Sequence, residues 1–204
     1  MRLLLVMAVL ACGSVSASAQ SIESAYTTFD ADKTCKHTPS KEPEDYGEWL
    51  CPGYGNIPVR LAAGDQRMLI SFGKKPKNDD DDLASSQTFA AFNDAYKGTI
   101  EWRLEKSANG KLRPFATILR WNVMVASDHT GQRGGTKATG RALVVTRLGP
   151  GGVCHVGYVD ARANPDANDL ARKLADEHAR TFKCGKDKRI VVGKSGDVGM
   201  PRDD

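Results

Sequence analysis

Alternation of apolar and polar residues dominates the middle of the chain and predicts an antiparallel sheet. In the clearest stretch, Ile100, Trp102 and Leu104 alternate with charged residues, which is the period of a strand with two different faces. The predicted strands span residues 99–105, 114–125, 141–148 and 153–161. Turn-forming sequences rich in glycine, proline and asparagine separate them, and consecutive strands joined in this way predict a β-meander.

Two shorter patterns come before the meander. Alternating apolar residues at 59–61 and 68–72 flank the turn sequence 63–65 and predict a β-hairpin. Aromatic residues spaced three and four apart predict a short helix over 88–96. Between these elements, residues 73–86 hold lysines and four consecutive aspartates without apolar periodicity, so we expect a solvated loop there.

A helix with start and stop signals follows the meander. Asn164 is expected as its N-cap, Pro165 as its first residue, and Gly185 comes after its end. Its apolar stripe consists of Ala167, Leu170, Ala171, Leu174, Ala175, His178 and Phe182. The predicted fold class is therefore α+β, an antiparallel β-meander sheet covered by a C-terminal α-helix, and residues 190–192 predict an additional edge strand.

The first residues have the layout of an export signal. Arg2 precedes the apolar run 3–11, which is far shorter than the roughly 20 residues that a membrane-spanning helix needs. Ala17 and Ala19 fit a cleavage site, so the mature chain is expected to begin at Gln20 and to carry no transmembrane segment.

A lipoprotein signal is the alternative for the same segment. Residues 9–13 resemble a lipobox, in which Cys12 would be lipidated and become the first mature residue. The expected location is therefore periplasmic or secreted, with anchoring at Cys12 as the alternative.

The remaining sequence divides into three parts. Residues 20–47 are polar and punctuated by proline and predict an N-terminal surface segment, a loop pinned by Cys35. Residues 48–193 are expected to form a single α+β domain, and residues 194–204 a polar tail.

Four cysteines follow the signal, and an even number in an exported chain predicts two disulfides. They are Cys35, Cys51, Cys154 and Cys184. Three pairings are possible, and proximity along the chain favours Cys35 with Cys51 and Cys154 with Cys184. No C-x-x-C or Cys/His ligand spacing is present, so no metal or cofactor is predicted.

Charge argues against a nucleic-acid partner. The chain has 29 basic and 25 acidic side chains, and loss of Arg2 with the signal leaves a mature balance of only +3. The two signs are interspersed, without the basic stripe that would follow a phosphate backbone.

One set of charged side chains is the candidate binding site. If Cys154 faces the helix, strand alternation directs His155 to the opposite sheet face, where Glu101, Arg103, Arg120 and Arg147 are expected. Cations on neighbouring strands suit a carboxylate, a phosphate or an acidic sugar. The alternative for the same residues is an ordinary solvated face of cross-strand charge pairs.

Several segments together resemble a known group of proteins. They are Cys51-Pro52-Gly53, Gly64-Asp65, Thr99–Arg103, Thr117–Trp121, Cys154–Asp160 and Asn164–Asn168. In these segments the chain resembles uncharacterised secreted proteins of alphaproteobacteria, and the Cys-His strand leading into the Asn-Pro-Asp helix is the most specific part. The resemblance implies a bacterial envelope location, most often the periplasm, and carries no activity and no site residues.

Two functions follow as hypotheses. The first is a non-enzymatic binding or interaction module whose partner is an unknown envelope protein or a small anionic ligand. It rests on the export signal and on the absence of compact catalytic motifs from the sequence. The second is a small envelope-acting hydrolase with His155 or His178 as its base, oriented by Asp160 or Glu101.

Overall fold

The computed structural model describes residues 21–39, 46–107, 109–125 and 140–201. The expected export signal of residues 1–19, the expected mature start at Gln20 and the alternative lipid site at Cys12 lie outside the described residues. Within the described ranges, no helix has both the length and the apolar character needed to cross a membrane.

Strands form most of the regular structure. In chain order they are β1 (Ile22–Asp30), β2 (Lys36–Pro39), β3 (Gly47–Cys51), β4 (Val59–Gly64), β5 (Arg67–Phe72), β6 (Asn93–Asp94), β7 (Lys97–Lys106), β8 (Leu112–Val123), β9 (Gly140–Arg147), β10 (Cys154–Asp160) and β11 (Ile190–Val192). The α-helix described is α1 (Ala167–His178), and short 3-10 turns occur at Asp79–Asp81 and Leu83–Ser85.

The strands belong to two sheets. The large sheet has the order β1-β7-β8-β9-β10-β11, with β6 paired to the end of β8, and the small sheet has the order β2-β3-β4-β5. The predicted meander is confirmed, because β7 to β10 are consecutive antiparallel neighbours. The predicted edge strand is also confirmed, and β11 runs parallel to β10.

The expectation of a loop in the N-terminal segment is wrong for two strands, the short β2, which pairs antiparallel with β3, and the longer β1. This strand pairs antiparallel with β7 over its whole length, from Ile22 opposite Glu105 to Asp30 opposite Lys97. Its polar side chains contribute bonds to the sheet, for example Thr27, whose Oγ1 accepts a hydrogen bond of 2.8 Å from the indole of a β7 tryptophan. The polar segment therefore forms a strand, because β7 supplies hydrogen-bond partners for its backbone and for polar side chains such as Thr27.

The predicted hairpin is confirmed as β4 and β5, whereas the predicted helix over 88–96 is wrong. That stretch contains β6, and the side chain of Asn93 accepts a hydrogen bond of 3.0 Å from the backbone nitrogen of Met68. The Asn93 backbone nitrogen also donates to the carbonyl of Gln66. These bonds hold the chain extended beside β5, and they outweigh the helical spacing of the aromatic residues.

The acidic run is only partly the solvated loop that we expected. Asp82 is buried, and its carboxylate accepts hydrogen bonds from Arg60 and from Ser71. A buried carboxylate persists when it is paired and hydrogen-bonded in this way. The run therefore connects to the small sheet through Asp82.

Two apolar clusters hold the elements together. The larger joins the facing sides of the two sheets and includes Trp102, Tyr158 and Ile70. The smaller joins the other side of the large sheet to α1, with Leu174 among its buried residues, and α1 contacts β8, β9 and β10.

Three details of the C-terminal region differ from expectation. The helix begins at Ala167 with Asp166 as its N-cap. Asn164 instead donates from its side chain to the carbonyls of Asp160 and Lys194, at 2.9 and 2.8 Å, and so links β10 to the segment after β11. His178, expected on the apolar stripe, has a side chain 47% exposed.

The expected polar tail also contains buried residues. Val198 and Met200 belong to the larger apolar cluster, so the described part of the segment after residue 193 packs on the core. Isolated apolar residues among charged neighbours gave no periodic signal for this contact.

Both predicted disulfides are present, Cys35 with Cys51 and Cys154 with Cys184. The second joins the first residue of β10 to the chain just after α1. Two disulfides in a chain of this size fit an oxidising, extracellular compartment.

Candidate functional site

The five predicted binding residues do not form one surface. Cys154 and His155 point to opposite faces of β10, as strand alternation requires, because Cys154 packs in the cluster with α1 and His155 contacts Trp121 of the other cluster. Glu101 and Arg103, however, bond to residues of α1 and lie on the Cys154 face. The predicted platform is therefore divided between two faces.

Glu101 and Arg103 belong to a buried ion-pair network beneath α1. Arg103 forms two parallel hydrogen bonds with the carboxylate of Asp176, at 2.9 and 2.6 Å. Glu101 accepts from Nε of Arg172 at 2.7 Å and from the hydroxyl of Ser24 at 2.6 Å. These bonds join β1, β7 and α1 and occupy both side chains.

The charge state of Glu101 follows from this network. Burial alone would raise the pKa of its carboxyl, but the hydrogen bonds from Arg172 and Ser24 and the nearby Arg103 guanidinium outweigh burial and hold the pKa below its usual value. Glu101 is thus an ionised structural residue that the described network already satisfies.

The other two arginines are separate. Arg120 is exposed, and its nearest polar partner in the described part of the chain is Oδ1 of Asn168, at 3.3 Å. Arg147 donates to the carbonyls of Pro150, at 2.9 and 2.7 Å, and of Gly152, at 3.1 Å, and so closes the turn between β9 and β10. Burial lowers the pKa of Arg147.

His155 is buried in the core and has one unsatisfied nitrogen. Its Nδ1 lies 2.9 Å from the hydroxyl oxygen of Tyr158, and the ring meets Trp121 edge-on. Its Nε2 has no hydrogen-bond partner among the residues that the structure describes. Burial, with a smaller contribution from Arg189, lowers the pKa of His155 to about 3, so the imidazole is neutral near pH 7.

His155 lines a cleft of about 990 Å³, which is within the size range of small-molecule sites. Five separated parts of the chain form its walls: Arg67 of β5, residues 86–90, the start of β10, and the segments 182–189 and 199–201. Phe89, Phe182 and Met200 contribute apolar surface. We call this cavity the His155 cleft.

Cationic side chains predominate in the His155 cleft. Its lining includes Arg67, Lys186, Lys188 and Arg189, against Asp187 as the acid. Lys186 and Lys188 are exposed, and neither forms an ion pair within the described ranges.

The other charged groups of the His155 cleft are already engaged. Arg67 donates to the carbonyl of Ala90, at 3.0 and 2.8 Å. Arg189 donates from Nη1 to the hydroxyl oxygen of Tyr158, at 3.2 Å. The carboxylate of Asp187 accepts from the backbone nitrogen of Lys183, at 2.8 Å. The two lysines are therefore the cations best placed to meet a bound anion.

The hydrolase residues are not assembled. His178 is on the exposed side of α1, with Glu177 at 3.9 Å. The carboxylate of Asp160 accepts from backbone nitrogens of the turn after β10 and from Gly196. Neither Asp160 nor Glu101 bonds to either histidine within the described residues.

A second cavity, of about 670 Å³, lies beside the small sheet and is lined by Arg60, Ser71 and Asp82 together with more exposed acidic residues. The three named side chains satisfy one another. In the ranges that the structure describes, no group of three or more His, Cys, Asp or Glu side chains is placed to hold a metal ion.

Sequence reasoning missed the lysines, although one signal was available. The predicted bond between Cys154 and Cys184 already places the residue after Cys154 near the basic run 186–189. Arg67 and residues 86–90 carried no comparable signal, because they reach the cleft only through the packing of the two sheets.

No family model matches this chain, and comparison with curated proteins and with solved structures finds no significant match. The function of this chain is therefore inferred from its own residues.

Proposed function

We propose that this protein is a non-enzymatic binding module of the bacterial envelope, located in the periplasm or secreted, and that it holds a small anionic ligand in the His155 cleft. The observation that carries the proposal is the cationic lining of the cleft, where Lys186 and Lys188 are exposed and form no ion pair with a described residue. Lysine ammonium groups bind carboxylates and phosphates as point charges.

Other features support a binding role over hydrolysis. The cleft combines apolar walls with a few polar groups, which is typical of small-molecule sites. His155 is neutral and buried, and its bonded neighbour is a tyrosine rather than a carboxylate, so it lacks the orienting partner that a catalytic base needs.

Binding can be tested by isothermal titration calorimetry, in which phosphate, citrate or glucuronate is added to the purified protein at low ionic strength. We expect at least one anion to bind, and the double variant Lys186→Gln/Lys188→Gln to weaken that binding about tenfold or more. The matched control Lys97→Gln/Lys111→Gln removes the same charge from exposed positions outside the cleft and should bind as the unaltered protein does. Absence of binding to all three anions, or equal loss in both double variants, would refute the proposal.

Location is tested separately by the intact mass of the protein from a native host. For an exported chain with two disulfides we expect the mass of a protein whose first residue is close to Gln20 and which has no free thiols. A diacylglycerol-sized addition would instead support lipidation at Cys12, and a mass that retains residues 1–19 would refute export.

A further inference from the structure

Two neutral polar side chains that line the His155 cleft each use one polar atom in a hydrogen bond, while their other polar atom has no hydrogen-bond partner among the described residues. One such atom is Nε2 of His155, which is buried and unpartnered in the described residues. The other is the side-chain nitrogen of Gln87. Because a backbone N–H can only donate, the Gln87 atom 2.7 Å from the backbone nitrogen of His155 must be the amide oxygen. The amide nitrogen is thereby left with no bond to any described residue.

From this arrangement we infer that the ligand of the His155 cleft is an anion that also carries hydroxyl groups, such as an acidic sugar or a hydroxy acid. The inference rests on the proposed function, and it adds the chemical class of the ligand. The anionic group would meet Lys186 and Lys188 at the exposed rim. A hydroxyl would reach Nε2 of His155 through a local shift of the side chains around it, because this atom has almost no exposed surface in the structure.

A hydroxyl is the group that suits Nε2 of His155. The imidazole is neutral, so Nε2 offers no charge to an anion. Nε2 is an acceptor if the imidazole hydrogen lies on Nδ1 and is donated to the Tyr158 hydroxyl. It is a donor if the Tyr158 hydroxyl donates to Nδ1, because the imidazole hydrogen is then on Nε2. A hydroxyl both donates and accepts and therefore satisfies either tautomer, whereas a carboxylate only accepts.

The surroundings of these two groups make them selective. His155 is fixed by Tyr158 and Trp121, and Gln87 is fixed by the β10 backbone. Groups held in this way lose little freedom on binding. A ligand that enters without a hydroxyl leaves Nε2 as unsatisfied as it already is, so only a hydroxylated ligand gains the free energy of this hydrogen bond.

The experiment compares four probes by isothermal titration of the full-length mature protein. Glucuronate carries charge and hydroxyls, cyclohexanecarboxylate carries the same charge on a ring without hydroxyls, and methyl glucoside carries hydroxyls without charge. Glucose 6-phosphate distinguishes a phosphate from a carboxylate as the source of the charge. We expect one of the two hydroxylated anions to bind about tenfold or more tightly than cyclohexanecarboxylate and methyl glucoside.

The role of His155 is tested by His155→Phe, which keeps an aromatic ring and removes both nitrogens. The tenfold preference should disappear in this variant. The unaltered protein provides the same test in case the variant does not fold: the imidazole ¹⁵Nε2 resonance should shift with the preferred hydroxylated anion and stay unchanged with cyclohexanecarboxylate.

The outcomes separate the two proposals. Equal affinities for glucuronate, glucose 6-phosphate and cyclohexanecarboxylate, or an unshifted ¹⁵Nε2 resonance on saturation, would overturn the hydroxyl requirement and leave anion binding in place. No binding of any anion, here or in the phosphate and citrate titrations, would overturn both.

Discussion

Replacement of His155 by phenylalanine should make the stability of this protein less sensitive to acid. His155 is about 1% exposed, and its pKa in the folded protein is lowered to about 3 because burial disfavours the charged ring. In the unfolded chain the pKa of histidine is about 6.5. As pH falls below that value, the unfolded state binds a proton that the folded state does not bind, so the free energy of unfolding decreases.

The size of this effect follows from the gap between the two pKa values. Each pH unit in the window between them changes the free energy of unfolding by about 1.4 kcal/mol for one such group. Between pH 7 and pH 4, His155 should therefore remove about 3 kcal/mol of stability, a large fraction of the 5–15 kcal/mol typical of a domain. At pH values above the pKa of histidine in the unfolded chain, His155 is neutral in both states, so the free energy of unfolding no longer changes with pH on its account.

Urea unfolding at pH 7, 6, 5 and 4 measures the effect in the unaltered protein and in His155→Phe. The variant starts from a lower stability because it loses the bond to Tyr158, but its own decrease toward pH 4 should be about 3 kcal/mol smaller. His178→Gln is the matched control, since it removes a histidine whose side chain is exposed on α1. Parallel curves for His155→Phe and the unaltered protein would refute the assignment of His155 as a buried neutral residue.

Three further predictions concern the scaffold. The double variant Cys154→Ser/Cys184→Ser opens a loop with a sequence separation of 30 residues and should lose about 3–4 kcal/mol in urea unfolding. In Gly157→Ala the new methyl would lie 2.0 Å from the carbonyl oxygen of Ile190, so a thermal melt should show a decrease of several degrees and hydrogen exchange should show β11 unprotected. Arg103→Met removes the cation beside the half-buried carboxylate of Asp176 and one of the two cations beside Glu101, which keeps Arg172, and should cost about 2–3 kcal/mol in urea unfolding.

Each of these has an outcome that contradicts it. Equal unfolding free energies with and without the disulfide would show that the unfolded chain is not constrained by it. Unchanged exchange in β11 would mean that the strand moves aside without loss of pairing. A cost below about 1 kcal/mol for Arg103→Met would indicate that the network is hydrated.

Strand alternation predicted which residues of a single strand share a face. It predicted neither what covers that face nor that His155 lies on the opposite face from Glu101 and Arg103. Glu101 and Arg103 were expected on a solvated side because charged residues on antiparallel strands usually meet water. They are buried because α1 brings Arg172 and Asp176 over them. These two helix residues are four apart and lie on one side of the helix, so the sequence held a hint of complementary charge that a strand-by-strand reading does not use.

The meander was predictable because each strand pairs with its neighbour along the chain, and the disulfides because proximity favoured the observed pairs. The His155 cleft was not predictable, since it joins Arg67, Gln87 and the basic run after Cys184 through contacts between distant segments. For β1 a local signal did exist: residues 26–29 are two aromatic and two β-branched residues, all favourable in strands. Prolines later in the same segment obscured it.

The pairing of β1 with β7 has a consequence for how the chain folds as it is synthesised. β1 ends at Asp30 and its partner β7 begins at Lys97, so 66 further residues must be made before pairing can begin. The small sheet, by contrast, is complete by Phe72 and needs only hairpin-scale contacts. We expect the small sheet to form early and β1 to wait, as an unpaired strand open to chaperones, until β7 arrives.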